Sequence, residues 1–316
     1  MTRDEEFSHQ PVMAREVVDA LRPVPPGLVI DATVGGGGHG VAVLGSRPDV
    51  HLLGIDRDPD ALAAAARRLA PFGARVRLVH ARFDELARVA GDEPTVAVLF
   101  DLGVSSPQLD RPERGFSYRH AGPLDMRMDP TSGLTAADVV NGYPVQRLAE
   151  LFRASGEARF AMRIARAIVA ARPVADTASL AETVRDAIPA PARRHGGHPA
   201  RRVFQAVRIE VNAELDVLDT ALAAALDLIA PGGRVAVISY HSGEDRIVKG
   251  AFADADRGGC TCPPGLPCVC GAVARHRLVF RGSRQPSAAE VAANRRAESA
   301  RLRVIERTAG PAGPAR

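Results

Sequence analysis

The residues best equipped for chemistry are three aspartates that each close an apolar run: Asp31 ends G-L-V-I-D, Asp56 ends H-L-L-G-I-D and Asp101 ends V-A-V-L-F-D. Asp31 also opens D-A-T-V-G-G-G-G-H-G, which reaches Gly40. Glycines at such a place let backbone N–H groups approach a ligand closely, and the start of a following helix favours negative charge. The run fits G-x-G-x-x-G through Gly35, Gly37 and Gly40, a weak match alone because four consecutive glycines satisfy many patterns. Asp56 strengthens it. A carboxylate at the tip of the second strand can accept hydrogen bonds from both hydroxyls of a ribose, so the pair of motifs points to a nucleoside-containing cofactor.

Dinucleotides and S-adenosylmethionine share that layout, and Asp101 separates them. It opens D-L-G-V-S-S-P-Q-L-D, which puts a carboxylate, the hydroxyls of Ser105 and Ser106, and Pro107 where open α/β sheets bind ligands. Amino-group methyltransferases are similar in placing an acid or Ser ahead of Pro here. An exocyclic amine delocalises its lone pair into the ring and is a poor nucleophile until acceptors hold its N–H groups. Asp101 and carbonyls beside Pro107 could hold them.

These aspartates need strands to carry them. Gly27 to Asp31, His51 to Asp56, Arg75 to His80 and Val96 to Asp101 read as buried strands, with a helix at Pro59 to Leu69. Near-continuous apolar runs separated by helices indicate a parallel sheet covered on both faces. After Asp101 a polar loop to about Gly133 leads into an Arg-rich helical region to about Ala190. Val203 to Ile229 reads as one long amphipathic helix, Pro231-Gly232-Gly233 as a break, and Arg234 to Tyr240 as the fifth strand. Arg277 to Phe280 and Leu302 to Glu306 read as edge strands. The chain therefore divides into a first sheet part (1–107), an inserted helical RNA- or substrate-recognition subdomain (108–205), and a second sheet part with a Cys-rich loop and tail (206–316).

The 316 residues are 46% hydrophobic and 25% charged, the composition of a folded protein. The chain has no apolar run of about 18 residues, and Asp4, Glu5 and Glu6 open it, so neither a membrane span nor an export signal is expected and a cytoplasmic place is. Net charge is only +4, yet Arg147 to Arg208 holds 12 Arg against five acids. That is the footprint expected of a phosphate-binding surface, with salt-sensitive RNA binding as its consequence. Of the 41 basic residues, Lys249 alone is lysine.

Taken in order, the motifs resemble those of the MraW/RsmH-type bacterial methyltransferases across nearly the whole chain: H-Q-P-V-M at His9, the Asp31 run, G-I-D-R-D-P at Gly54 and the Asp101 run. They continue with R-G-F-S-Y at Arg114, G-P-L-D-M-R-M-D at Gly122, R-I-A-R-A-I at Arg163, H-P-A-R-R-V-F-Q-A at His198 and P-G-G-R-V-A-V-I-S-Y-H-S at Pro231. The resemblance implies a class I, Rossmann-like S-adenosylmethionine-dependent methyltransferase sheet with an inserted helical subdomain. It implies methylation of the N4 amine of a cytidine in the decoding region (P site) of small-subunit (16S) rRNA, with the small ribosomal subunit as partner; a homodimer is left open. Carried over motif by motif, it implies Gly37, Gly38 and His39 at the methionine and ribose end of the cofactor and Asp56 on the ribose. Phe83 should lie against the adenine, and Asp101 and Gln108 should close the pocket. Asp101, Ser105 and Ser106 are then expected to receive the amine, with Phe116 or Tyr118 as a stacking surface. His241 either contacts the base or shuttles a proton, or simply shapes its loop. Asp125 and Arg127 are further candidates, with a loop-holding ion pair as the alternative.

Gly243 stands where the family usually has Leu, and N-R-R-A-E-S at Asn294 lacks the usual Pro, departures that bear on loop rigidity. Cys260, Cys262, Cys268 and Cys270 could close a tetrahedral zinc site, although C-x-C pairs are tighter than the usual spacing; a reduced loop or a disulfide are the alternatives. Two other functions fit parts of the pattern. A nicotinamide-dependent oxidoreductase would use the same Gly loop and Asp56, and a non-catalytic ribosome-assembly factor would use the basic insert.

Overall fold

The structure is a computed structural model that describes residues 11–131, 133–193, 198–263 and 269–312. It contains two compact units, Met1–Gly103 with Leu215–Arg316, and Val104–Glu214. The seams thus fall after residues 103 and 214, where the sequence suggested 107 and 205.

The first unit begins with α1 (Ala14–Leu21), β1 (Gly27–Asp31), α2 (Gly38–Ser46), β2 (Val50–Asp56), α3 (Pro59–Leu69), β3 (Val76–His80), α4 (Leu86–Ala90) and β4 (Thr95–Asp101). Local chemistry marks the boundaries. Asp58 caps α3 by accepting from the Asp60 N–H at 3.0 Å, Pro59 occupies the first turn, and Arg67 and Arg68 sit at the negative end of the helix dipole. β4 is buried from Thr95 through Phe100 and only Asp101 emerges.

The second unit holds α5 (Ser106–Asp110), α6 (Ala136–Gly142), α7 (Val145–Ala154), α8 (Ala161–Ala170), α9 (Thr177–Ala187), α10 (Ala190–Arg193) and α11 (Arg201–Asn212). Its core is apolar side chains from α6 to α9 and α11, including Phe152, Ile164, Ile168, Leu180 and Val207. Buried Asn212 braces this core: its Nδ2 donates to the Met126 and Arg208 carbonyls, and its Oδ1 accepts from the Met128 N–H.

The chain returns through α12 (Leu218–Leu228), β5 (Ile229–Ser239), α13 (Ser242–Asp256), β6 (Ala274–Leu278), α14 (Ala288–Ala293) and β7 (Arg301–Ala312). The single helix expected over Val203 to Ile229 is therefore two. Ala213 turns left-handed at φ 50°, and Arg208 holds Glu214 with paired 2.8 Å bonds, drawing the chain back against the end of α11. Pro231-Gly232-Gly233 lies inside the β5 span rather than ahead of it, as an irregularity in the β4 pairing.

Sheet order is β3-β2-β1-β4-β5-β7-β6, with β1 to β5 parallel and β7 antiparallel to both neighbours. Only β6 is an edge strand of the expected pair, because β7 lies between it and β5. The order reverses between β1 and β4, the switch point at whose carboxyl edge open α/β sheets take ligands. Asp31, Asp56 and Asp101 are the last residues of β1, β2 and β4, so all three face that edge.

Candidate active site

The Gly run forms a tight turn from β1 into α2. Gly35 and Gly37 take φ of 50° and 78°, a left-handed region that costs a side chain strain, and a Cβ on Gly37 would lie 3.1 Å from Leu69. Asp56 holds this turn: Oδ2 accepts from the Gly35 N–H at 2.8 Å and Oδ1 from the Asp58 N–H at 2.9 Å. Burial pushes its carboxyl up to about 6. Asp31 is only 1% exposed, with Oδ1 accepting from the Thr33 N–H and Oδ2 meeting no hydrogen-bond partner among the described residues. Burial drives its carboxyl up to about 7, against an opposing pull from His39.

Asp101 meets three neighbours at the edge. Its backbone N–H donates to Thr33 Oγ1 at 2.7 Å, and its Oδ1 accepts from the Tyr240 hydroxyl at 2.8 Å. Its Oδ2 lies 3.4 Å from His39 Nε2, an ionic approach without hydrogen-bond geometry. Burial alone would lower the His39 imidazole, but Asp101, then Asp31 and Glu290, hold it above its ordinary value. Burial and Asp101 together raise the Tyr240 phenol well above 10, so it stays a donor.

Tyr240 follows β5, and the next residue turns into α13. His241 caps that helix, its Nδ1 accepting from the Gly243 and Glu244 N–H groups, which puts the remaining ring proton on Nε2. Buried Glu244 locks the turn by accepting from the Tyr240 N–H at 2.8 Å and the His241 N–H at 3.2 Å. A cavity of about 490 Å³ opens beside Tyr240 and His241, with Arg246, Lys249 and Arg301 in its wall. The chain's one lysine is thus in the cavity next to the site.

The expected residues fall into two groups. Gly37, Gly38, His39, Asp56, Phe83, Asp101 and His241 belong to the first unit, where His39 and Asp101 meet directly. Phe83 is half-buried, edge-on to Phe100 with centroids 5.9 Å apart. Ser105, Ser106 and Gln108 belong to the second unit, where Ser105 and Gln108 form a reciprocal cap at the start of α5. Both aromatic candidates already pack within the second unit. Phe116 is buried in the helical core, and Tyr118 stacks on His198 at 4.5 Å and meets Phe204 in a T-shaped pair. Asp125 and Arg127 pair through bonds of 2.7 and 3.0 Å and brace their loop. Tyr240, Thr33 and Glu244 were not singled out from sequence. Parallel pairing of Asp101 with Ile238 is the signal that finds Tyr240, since it sets the residues just past β5 beside the end of β4.

The sequence of residues 6–308 matches the model of the MraW methylase family. The chain belongs to that family. It is 51% identical over 314 residues to ribosomal RNA small subunit methyltransferase H of Thermobifida fusca, covering 96% of this chain and 94% of that one. It is 52% identical over 307 residues to the protein of the same name from Symbiobacterium thermophilum, covering 95% and 96%. Membership of the MraW methylase family carries the coarse activity, S-adenosylmethionine-dependent methylation of rRNA, and removes the nicotinamide alternative. The residues present fit this methyl donor. The left-handed Gly turn lies at the head of α2, Asp56 offers a carboxylate at the strand tip, and Asp31 Oδ2 and the His39 ring nitrogens are buried polar atoms without hydrogen bonds among the described residues. Among the described residues no helix is long and apolar enough to cross a membrane.

Proposed function

We propose that this methyltransferase acts on the exocyclic N4 amine of a cytidine in the decoding region (P site) of 16S rRNA, within the small ribosomal subunit in the cytoplasm. The observation that carries the reading is the Asp101 carboxylate: one-quarter exposed at the switch point, with one oxygen fixed by Tyr240 and the other facing His39. An amine N–H donates to such a carboxylate, and holding it there directs the nitrogen lone pair out of the ring plane toward the incoming methyl. Bound S-adenosylmethionine supplies that methyl already activated on a sulfonium, so the protein's task is alignment. Alignment alone is worth about 7 to 11 kcal/mol in well-oriented systems. Gly37, Gly38, His39 and Asp56 would hold the donor, with Phe83 against its adenine; Gln108 would close the pocket, and Ser105 and Ser106, four and five residues beyond Asp101 in the chain, would receive the cytosine.

The target base has to leave its stack to reach a strand-end carboxylate. Arg246, Lys249 and Arg301 in the cavity wall suit the backbone phosphates beside it. In the second unit Arg153, Arg163, Arg166 and Arg201 are exposed without an ion-pair partner among the described residues, while Arg147, Arg185, Arg202 and Arg208 pair with acids. The footprint for RNA is thus narrower than the sequence count suggests.

The test is to incubate the protein with labelled S-adenosylmethionine and unmodified small subunits, digest the RNA and identify the nucleoside by mass spectrometry. N4-methylcytidine formed by the wild type and absent with Asp101→Ala is the expected result. Label on another nucleoside, or an Asp101→Ala variant of undiminished rate, overturns the assignment, and subunit binding without turnover would return the assembly-factor reading.

A further inference from the structure

The described residues between α13 and β6 are held by no apolar core. No described residue from 257 to 273 is buried, and Val269 and Val273 are 88% and 52% exposed. The two ends of this segment nevertheless meet. Gly258 takes φ +61°, and a Cβ there would lie 2.5 Å from the Val273 carbonyl and 2.6 Å from the Ala274 nitrogen, so the chain leaving α13 lies against the chain entering β6. The Cys260 N–H is fixed to the Arg257 carbonyl at 3.2 Å.

Above that closed base three thiols converge. The sulfurs of Cys260, Cys262 and Cys270 all lie within 4.8 Å of one another, and the Cys270 and Cys260 sulfurs are 3.6 Å apart. A disulfide needs about 2.05 Å between sulfurs, so that pair is not bonded. A tetrahedral zinc ion with Zn–S of about 2.3 Å sets its sulfurs about 3.8 Å apart, which matches. The Val269 N–H donates to Cys262 Sγ at 3.4 Å, an outer contact of the kind that orients a metal-ligating side chain. Cys260 and Cys262 are only half-buried and Cys270 is exposed, so burial gives these thiols little reason to gather, whereas a shared cation supplies one. Cys268 lies outside the described residues.

We propose that Cys260, Cys262 and Cys270 bind a thiophilic divalent cation, zinc by ligand softness and geometry, which pins the segment between α13 and β6. Binding replaces three S–H bonds by three metal–sulfur bonds and releases the thiol protons to buffer; no electrons are transferred. The fourth coordination position is filled from beyond these three side chains.

The full-length protein, prepared reduced, is loaded with zinc and desalted, and separately loaded with cobalt. The site predicts one zinc retained per chain, an intense tetrahedral thiolate–cobalt spectrum, and protection of the three cysteines from alkylation by zinc in the unaltered protein. Cys260→Ser, Cys262→Ser and Cys270→Ser should each lose stoichiometric retention while still binding S-adenosylmethionine, which reports that the first unit is folded. Absence of retained zinc in the wild type, a pale octahedral cobalt spectrum, unprotected thiols, or zinc kept by the triple serine variant would each overturn the proposal.

Discussion

Tyr240→Phe removes a single hydroxyl and keeps the ring that packs beside Gly103. The lost bond is short, 2.8 Å, and its acceptor is a carboxylate oxygen of Asp101. A hydrogen bond to a charged group is worth about 1.5 to 3 kcal/mol. Asp101 is 25% exposed, so water replaces part of that and the lower half of the range applies. If Asp101 must hold the amine as proposed, about 1.5 to 2 kcal/mol appears in the barrier, a fall in kcat of roughly 10- to 30-fold. Affinity for S-adenosylmethionine should stay within about twofold, because Tyr240 acts through Asp101 as a positioning residue. Single-turnover methylation of unmodified subunits measures the rate, and a double-mutant cycle with Asp101→Asn tests the route. With the carboxylate gone, the second substitution should change little, giving a coupling energy near the single-variant loss. Full activity in Tyr240→Phe, or an undiminished effect in the Asp101→Asn background, would refute this account of how Asp101 is held.

Two further predictions concern stability. Asp31 releases its proton near 3.8 when unfolded but only at about 7 in the fold. Its stabilising contribution is therefore fully present below the unfolded value and is lost as pH rises through about 7, an upper bound of about 4 kcal/mol. Asp56, raised to about 6, acts in the same direction. The donor-free protein's thermal midpoint should fall from about pH 5 to about pH 8, and Asp31→Asn should flatten that slope; an unchanged slope would place the titration elsewhere. Asn212→Ala strands the Met126 carbonyl and the Met128 N–H inside the second unit, at about 1 to 3 kcal/mol per group. Urea unfolding should register a loss of about 2 to 4 kcal/mol, and a loss under about 0.5 would show that the brace is dispensable.

The sheet was legible because its signal is repeated. β1, β2 and β4 each present an apolar run ended by Asp, and a buried parallel strand has no polar face to blur that pattern. What escaped the sequence depends on tertiary partners. The break at Ala213 leaves helical periodicity on both sides almost in phase, and it is held by the Arg208–Glu214 pair and by the Asn212 side chain, which bonds the backbone of Met126 and Met128. Phe116 and Tyr118 stand beside motif residues in the chain, yet their rings complete the helical core and the His198 stack. Tyr240 was hidden for the opposite reason: 139 positions separate it from Asp101, and only the pairing of β4 with β5 brings them together.

Placing three carboxylates along one sheet edge works against folding. Asp101 and Asp56 both oppose ionisation of Asp31, burial opposes it more strongly, and His39 gives back part of the cost. A fold selected for stability alone would put an amide or an apolar side chain at a position only 1% exposed. The arrangement makes sense if the edge is built to receive positive charge, and the methyl donor of this family carries it on sulfur. If the donor's sulfonium lies against Asp31, Asp31→Asn should weaken binding of the charged donor more than binding of the neutral product left after transfer, a difference that calorimetry of the two ligands reads.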